Sequence, residues 1–162
     1  MSTDEPIDAR LLGDVQQAEG LRLRAYQDTR GFWTAGYGHK LNPHISWEGH
    51  VISQDQADEW LQADLESARA HAVLLPEWVW LETDCRQNAL VELIFNMGPT
   101  KWFGFDVTRR MLRLQRWKDA HDALLNSAWA REVQPHGFDE PGRATRLAGY
   151  FLMGEYPLEK AA

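Results

Sequence analysis

The chain has 162 residues, of which 44% are hydrophobic and eight are tryptophan, and its formal net charge is −7 at pH 7. This composition is typical of a folded protein of one or two lobes and excludes a disordered chain. One cysteine, Cys85, excludes an intramolecular disulfide framework. Residues 1–20 lack the basic start and apolar core of a secretory leader, and no apolar run is long enough to cross a bilayer, so we expect no leader and no stable membrane association.

The first predicted element is an amphipathic helix over residues 8–18. Apolar residues such as Leu11 and Val15 fall on one face of it, and Gly20 follows as a stop signal. Glu19 is therefore expected at the C-terminus of this helix. The negative end of the helix dipole disfavours an ionised carboxylate there, which suits a general acid.

A β-hairpin is predicted next. Residues 21–27 and 32–38 form its two strands, and a glycine-containing polar turn that includes Asp28 joins them. Gly36 and Gly38 leave the second strand with little side-chain bulk, which a saccharide groove would need.

The remainder of the chain is predicted to be helical. Ser53 and Gln56 indicate a capping box that opens a helix ending before Pro76. The sequence 97–99, Met-Gly-Pro, should end one of the later helices. Those later helices are predicted over residues 84–97, 106–114, 116–127 and 143–153.

We therefore expect an α+β fold that is mainly α-helical. A small N-terminal lobe, residues 1–52, carries the hairpin. A long inter-lobe helix, residues 53–75, leads to a larger helical C-terminal lobe, residues 76–162. The whole is expected to act as one catalytic unit.

Glu19, Asp28 and Thr34 lie close together in the sequence and supply the groups that cut a glycosidic bond. One carboxyl must be protonated to release the leaving oxygen, and the other must be ionised to act on a water or on the sugar carbon. The two can differ in protonation because a helix end and a polar turn are different environments. A solvated helix-end Glu and a turn-capping Asp are the alternative explanation.

The same stretch resembles the catalytic region of the phage T4-type lysozymes, the muramidase endolysin family. The chain reads E-G-L-R-L over residues 19–23 and Y-Q-D-T-R-G-F-W-T-A-G-Y-G-H over residues 26–39. Residues 86–98 resemble the family's central helix. A third block covers residues 110–117 and is followed by Trp129. These ordered blocks cover nearly the whole chain, and they imply a lysozyme-like fold.

The resemblance implies a peptidoglycan N-acetylmuramidase that hydrolyses the β-1,4 bond between N-acetylmuramic acid and N-acetylglucosamine. Glu19 would be the general acid, and Asp28 and Thr34 would position the attacking water, with inversion at the anomeric carbon. Asp28 could alternatively stabilise positive charge on the sugar. The implied substrate-binding residues are Gly38, Lys40, Phe95, Asn96, Thr108 and Arg143.

The chain departs from the family pattern at several places. Lys40 stands where these enzymes often have Leu beside the glycan, and Asn96 replaces a Gln. Ala123 matches a position that can carry Asn, and we transfer no ligand contact to it. Residues 130–142 form a longer linker, rich in Pro and Gly, before Arg143.

Two alternatives to the hydrolase remain open. A lytic transglycosylase would use one acid and form an anhydro sugar without water. An inactive wall-binding or structural module would keep the groove without the acids. The presence of both Asp28 and Thr34 favours the hydrolase.

We expect no metal and no cofactor. The histidines form no His-Glu-x-x-His motif, the one cysteine has no pair, and His39 should make a structural ion pair. A zinc-dependent peptide amidase is disfavoured for the same reason.

The expected partner is bacterial peptidoglycan. Residues 101–146 carry an excess of basic side chains, which suits an anionic polymer or is an ordinary solvated surface. No nucleic-acid motif accompanies them. We expect a monomer that stays in the host cytoplasm until a separate holin permeabilises the membrane and then reaches the periplasm and cell wall.

Overall fold

The computed structural model describes residues 6–133 and 142–157. Within these ranges the chain is mainly helical with one small antiparallel sheet, so the expected α+β, lysozyme-like fold is confirmed. A short 3-10 turn spans Trp78–Trp80. The other elements, in chain order, are α1 (Ala9–Glu19), β1 (Arg22–Gln27), β2 (Trp33–Gly36), β3 (His39–Lys40), α2 (Gln54–Ala72), α3 (Asp84–Trp102), α4 (Asp106–Arg113), α5 (Trp117–Leu125), α6 (Ala128–Val133) and α7 (Arg143–Met153).

The chain divides into two compact units, one within residues 2–67 and one within residues 68–162. The boundary falls inside α2, in the segment that the sequence assigned to the inter-lobe helix. We call them the N-terminal unit and the C-terminal unit.

Helix α1 of the N-terminal unit begins and ends as the sequence predicts. The carboxylate of Asp8 accepts the backbone N–H of Arg10 at 2.8 Å and so caps the first turn. At the other end the N–H of Gly20 donates to the carbonyl of Gln16 at 3.1 Å. Glu19 is therefore the last helical residue, as expected.

The sheet has the order β1-β2-β3, with one more strand than the predicted hairpin. Thr34 pairs with Tyr26 on one side and with Lys40 on the other. Gly36 and Gly38 have φ angles of +64° and +89°, so the chain leaves β2 there instead of continuing it to residue 38. This turn brings β3 back alongside β2.

Gly36 serves packing, and its assignment to a saccharide groove is wrong. It is buried, and a Cβ built on it would lie 3.2 Å from the Cβ of Ala57 on α2 and 3.7 Å from Cδ1 of Ile52. Its missing side chain lets α2 approach the sheet. The adjoining core consists of Ala25, Ala35 and Leu41, with Trp33, Trp47, Ile52 and Trp60 packed against it.

The capping box at the start of α2 is only half formed. The hydroxyl of Ser53 accepts the N–H of Gln56 at 3.1 Å, as predicted. The side-chain amide of Gln56 donates instead to Glu59 at 3.2 Å, so the reciprocal bond back to Ser53 is replaced by a bond along the helix.

In the C-terminal unit, α3 is interrupted where the Met-Gly-Pro sequence predicted its end. Gly98 has a φ of +79° and a ψ of 157°, which are not helical values. Helical turns resume from Pro99 to Trp102, so the predicted stop is a kink. Helix α6 was not predicted, and residues 134–141 of the long linker lie outside the described residues.

Two buried carboxylates hold the C-terminal unit together. Glu77, with no exposed surface, accepts the indole N–H of Trp102 at 2.6 Å and Nε of Arg109 at 2.8 Å. Glu92 accepts both terminal nitrogens of Arg146, at 2.9 and 2.7 Å. Each carboxylate links a helix or turn to a distant one, and burial without these partners would be costly.

Arg86 makes a third long-range connection. Its Nε donates to the carbonyl of Phe151 at 2.9 Å, and its guanidinium carbon lies 3.8 Å from the ring centroid of Trp117. This one side chain therefore ties α3 to α5 and α7. The neighbouring Cys85 is buried.

Over the described ranges, no helix is long and apolar enough to cross a membrane. The same residues contain no group of three or more His, Cys, Asp or Glu side chains placed to hold a metal ion.

Candidate active site

The predicted catalytic residues Glu19, Asp28 and Thr34 all belong to the N-terminal unit, together with Gly38 and Lys40. Glu19 is half-buried at the end of α1. A Cβ built on Gly38 would lie 3.8 Å from Oε2 of Glu19, so the glycine borders the carboxyl. The positive φ of Gly38 disfavours any larger residue there, which keeps that side of the carboxyl open.

Asp28 is fixed by the turn that follows β1. Its Oδ1 accepts the backbone N–H groups of Arg30 and Phe32, both at 2.9 Å. Its own N–H donates to the carbonyl of Phe32 at 2.9 Å. Its other carboxylate oxygen, Oδ2, accepts the ammonium of Lys40 at 2.5 Å. Three hydrogen bonds thus hold the carboxylate in one orientation, two from backbone N–H groups of the turn and one from Lys40 on β3.

These contacts favour the ionised form of Asp28. The pKa of Asp28 is lowered from 3.8 to about 2, chiefly by the hydrogen bond from Lys40 and further by the N–H groups of Phe32 and Arg30. Asp28 is therefore a carboxylate at neutral pH. An ionised group is what the reaction requires of the carboxyl that acts on water.

Thr34 lies on β2 and is 1% exposed. Its hydroxyl donates to the carbonyl of Phe32 at 3.1 Å and accepts the ammonium of Lys40 at 3.2 Å. A hydroxyl has one proton, and this one is directed at the carbonyl. Towards Lys40, Thr34 is therefore an acceptor.

Lys40 brings Asp28 and Thr34 together. From the sequence we expected Lys40 to lie beside the glycan and a water to lie between the other two side chains. In the structure the ammonium of Lys40 lies between them and donates to both. The register of β3 against β2, which the sequence did not predict, puts Lys40 opposite Thr34.

His39, the neighbour of Lys40 on β3, makes the expected contact with an acid. Its Nδ1 lies 2.8 Å from Oδ2 of Asp64, and its ring stacks on Trp60 with the centroids 4.6 Å apart. These contacts fix the start of β3 against α2.

The other predicted substrate-binding residues belong to the C-terminal unit. Phe95 and Asn96 are half-buried on α3, and Oδ1 of Asn96 accepts the indole N–H of Trp129 at 2.7 Å. Thr108 on α4 is 2% exposed. Their contact with a substrate remains a prediction.

Thr108 and Trp129 both line a cavity of about 480 Å³ in this unit. Its lining also includes Lys101 and Ser127, which the sequence did not indicate, and Ala123, to which we transferred no ligand contact. The lining residues come from α3, α4, α5 and α6 and the turns between them. No local motif marks such a surface, because it depends on how those helices pack.

Arg143 opens α7, and its Nε lies 3.3 Å from Oε1 of the buried Glu92. Its side chain is 10% exposed. Glu92 also pairs with Arg146, a residue that the sequence did not indicate. A contact of Arg143 with the substrate also remains a prediction.

The fold is that of a lysozyme-like α+β protein. The sequence profile of the family described as phage lysozyme matches residues 16–142, which is most of the chain. The chain belongs to the phage lysozyme family.

Individual relatives agree with this assignment. The chain is 41% identical over 86 residues to an endolysin of Acyrthosiphon pisum secondary endosymbiont phage 1, covering 53% of this chain and 56% of that protein. It is 34% identical over 116 residues to the endolysin of Salmonella phage P22, covering 68% and 75%. It is also 24% identical over 175 residues to the pre-baseplate central spike protein Gp5 of Enterobacteria phage T4, covering 94% of this chain and 29% of Gp5.

Proposed function

We propose that this protein is a peptidoglycan muramidase, which hydrolyses the β-1,4 bond between N-acetylmuramic acid and N-acetylglucosamine, and that it serves a phage as an endolysin. Membership of the phage lysozyme family and similarity to two endolysins support the assignment. The observation that carries it is the acceptor pair formed by Asp28 Oδ2 and Thr34 Oγ1, which share a single donor.

This acceptor pair suits a nucleophilic water. The hydroxyl proton of Thr34 is used by the carbonyl of Phe32, so the hydroxyl can only accept from a water at that position. Asp28 is ionised and also accepts. A water bound to both would direct its two O–H groups at the protein and its lone pairs at the sugar carbon, which is the orientation required for attack.

The proposed reaction balances its protons between two carboxyls. Glu19 donates its proton to the glycosidic oxygen as the bond to the anomeric carbon breaks. The water adds to that carbon and gives a proton to Asp28. In an inverting enzyme of this kind the two carboxyl groups lie roughly 6.5–9.5 Å apart, which leaves room for the water.

The two alternative functions considered from the sequence fit this site less well. A lytic transglycosylase needs no water, so it has no use for an ionised Asp28 paired with a hydroxyl acceptor. An inactive wall-binding module would not need Glu19, the acid at the C-terminus of α1. Asp28 and Thr34 therefore favour hydrolysis over both.

Product analysis tests the proposal. Mass spectrometry of digested peptidoglycan should show reducing muramic ends, and proton NMR of early product should show the inverted anomer. Anhydro muramic ends would establish the transglycosylase instead. Retained configuration would exclude the arrangement of water described above.

The role of Glu19 is tested by an isosteric change. Glu19→Gln should keep the fold and lose nearly all wall lysis, because an amide cannot donate the required proton. Glu66→Gln is the matched control, since Glu66 is an exposed residue of α2 that accepts a hydrogen bond from the neighbouring Gln62. Lysis within tenfold of wild type by folded Glu19→Gln would remove Glu19 from the mechanism.

We further propose that the protein acts as a monomer and needs a separate holin to reach the wall from the cytoplasm. This rests on membership of a phage family. Expression in the bacterial cytoplasm should leave growth intact until a pore-forming protein is co-expressed. Lysis without that protein would contradict the dependence on a holin.

A further inference from the structure

The ammonium of Lys40 stands where the proposed mechanism needs a water. An ammonium has three N–H donors, and here it donates to Oδ2 of Asp28 at 2.5 Å and to Oγ1 of Thr34 at 3.2 Å. A water bound to the same two oxygens would also donate twice. An ammonium and a water can therefore make the same two hydrogen bonds to this acceptor pair.

A water that donates to both oxygens from the side where Lys40 lies would compete with its ammonium for one position. Oδ1 of Asp28 already accepts two backbone N–H groups, so Oδ2 is the oxygen that remains for a water. Thr34 is buried, and its Oγ1 accepts from the ammonium of Lys40. The cation also weakens Asp28 as a base, since it stabilises the ionised form.

The contact made by Lys40 is one that can open. Its side chain is 54% exposed, whereas that of Asp28 is 17% exposed. Because the side chain of Lys40 is largely solvated, water can replace the contacts of its ammonium when the ion pair opens. The backbone bonds to Oδ1 hold Asp28 in place after Lys40 leaves.

We propose that Lys40 occupies the water position in the free protein and swings outward when the glycan binds, where its ammonium pairs with a carboxylate of the wall polymer. Lys40 would then be a specificity-determining residue, since an anionic polymer draws the lysine away and a neutral polysaccharide does not. This inference rests on the proposed function.

The kinetic test compares three variants on purified peptidoglycan. Lys40→Met leaves the acceptor pair free for water, so kcat should rise about three- to tenfold while KM also rises, because the contact with the polymer carboxylate is lost. Lys40→Arg keeps a cation at the site, so kcat should stay at the wild-type value or lower. Lys118→Met is the matched control: Lys118 is an exposed lysine with a 2.7 Å ion pair to Asp122, and its loss should change neither constant.

A second measurement does not depend on turnover. In the free protein, carbon-13 NMR of the Asp28 carboxyl should show a titration that moves to higher pH in Lys40→Met and not in Lys118→Met. Addition of wall fragments to catalytically inactive Glu19→Gln should produce the same upward movement as Lys40 leaves.

The outcomes separate the two proposals. A folded Lys40→Met with kcat equal to or below that of wild type overturns the role of Lys40 while hydrolysis stands. The role of Lys40 is also overturned if the pH at which Asp28 titrates stays the same in Lys40→Met or on addition of wall fragments. Failure of the wild-type protein to hydrolyse peptidoglycan, with the NMR contact present, counts against the proposed function instead.

Discussion

The indole N–H of Trp129 donates to Oδ1 of Asn96 at 2.7 Å, which joins α6 to α3. Trp129 is 2% exposed, so removing its acceptor leaves a buried donor unsatisfied. We expect Asn96→Ala to lower the free energy of unfolding by about 1–3 kcal/mol. Urea denaturation followed by tryptophan fluorescence measures the change.

The control for this prediction removes the donor first. In Trp129→Phe the indole N–H is absent, so a further Asn96→Ala change should cost clearly less than it does in wild type. Equal costs in the two backgrounds would show that the hydrogen bond contributes nothing to stability.

Replacing Glu77 should lower the free energy of unfolding by more than replacing Asn96 does. It is fully buried and accepts from Trp102 and Arg109. Glu77→Gln keeps the shape and removes the charge, which leaves buried or half-buried guanidinium groups without their counter-ion. The free energy of unfolding should fall by roughly 3–5 kcal/mol.

An exposed pair in the same unit provides the comparison for Glu77. Glu132 accepts Lys101 at 3.0 Å, and both side chains are about half exposed. Glu132→Gln should change the free energy of unfolding by about 0–1 kcal/mol. Similar losses for the two glutamates would mean that burial is not what makes the Glu77 network important.

Asp28 should make stability depend on pH in the acid range. Its pKa in the folded protein is about 2, below the ordinary value of 3.8, so its ionised form stabilises the fold. That contribution is complete above the ordinary value and is lost as the pH falls towards 2. Lys40→Met should raise the folded pKa and reduce the loss. Unfolding free energies measured from pH 6 down to pH 2 test this, and a wild-type Asp28 carboxyl that titrates near 3.8 by NMR would refute it.

Thr34 and Asp28 should behave as one unit in catalysis. Each accepts from the same water in the proposed mechanism, so Thr34→Ala and Asp28→Ala should each lower the hydrolysis rate. The double variant should be little worse than the more damaged single variant. Initial rates on purified peptidoglycan give the comparison. Effects that multiply, or wild-type lysis by folded Thr34→Ala, would show that the two do not share a water.

The elements that the sequence predicted well are those with local signals. Helix α1 lies within one residue of its predicted bounds, and Gly20 follows it as expected, because a stop glycine acts within one helical turn. The hairpin turn at Asp28 follows from the same kind of short-range chemistry. Helix α7 begins and ends as predicted.

The parts that the sequence did not predict depend on distant contacts. Lys40 reaches Asp28 and Thr34 only because a third strand forms, and that strand depends on two glycine turns. No local pattern indicates the role of Glu77, because its partners Trp102 and Arg109 lie 25 and 32 positions later in the chain. Helix α6 is six residues long, too short to give a periodic pattern.

The burial of Gly36 against Ala57 has a consequence for how relatives of this protein should be recognised. The glycine is required by a helix that lies behind the sheet, whatever chemistry occurs in front of it. Descendants that lost Glu19 or Asp28 would still need that glycine to fold. A search keyed on this glycine would therefore select proteins that share the packing of α2 against the sheet, and the presence of Glu19 and Asp28 would have to be checked separately.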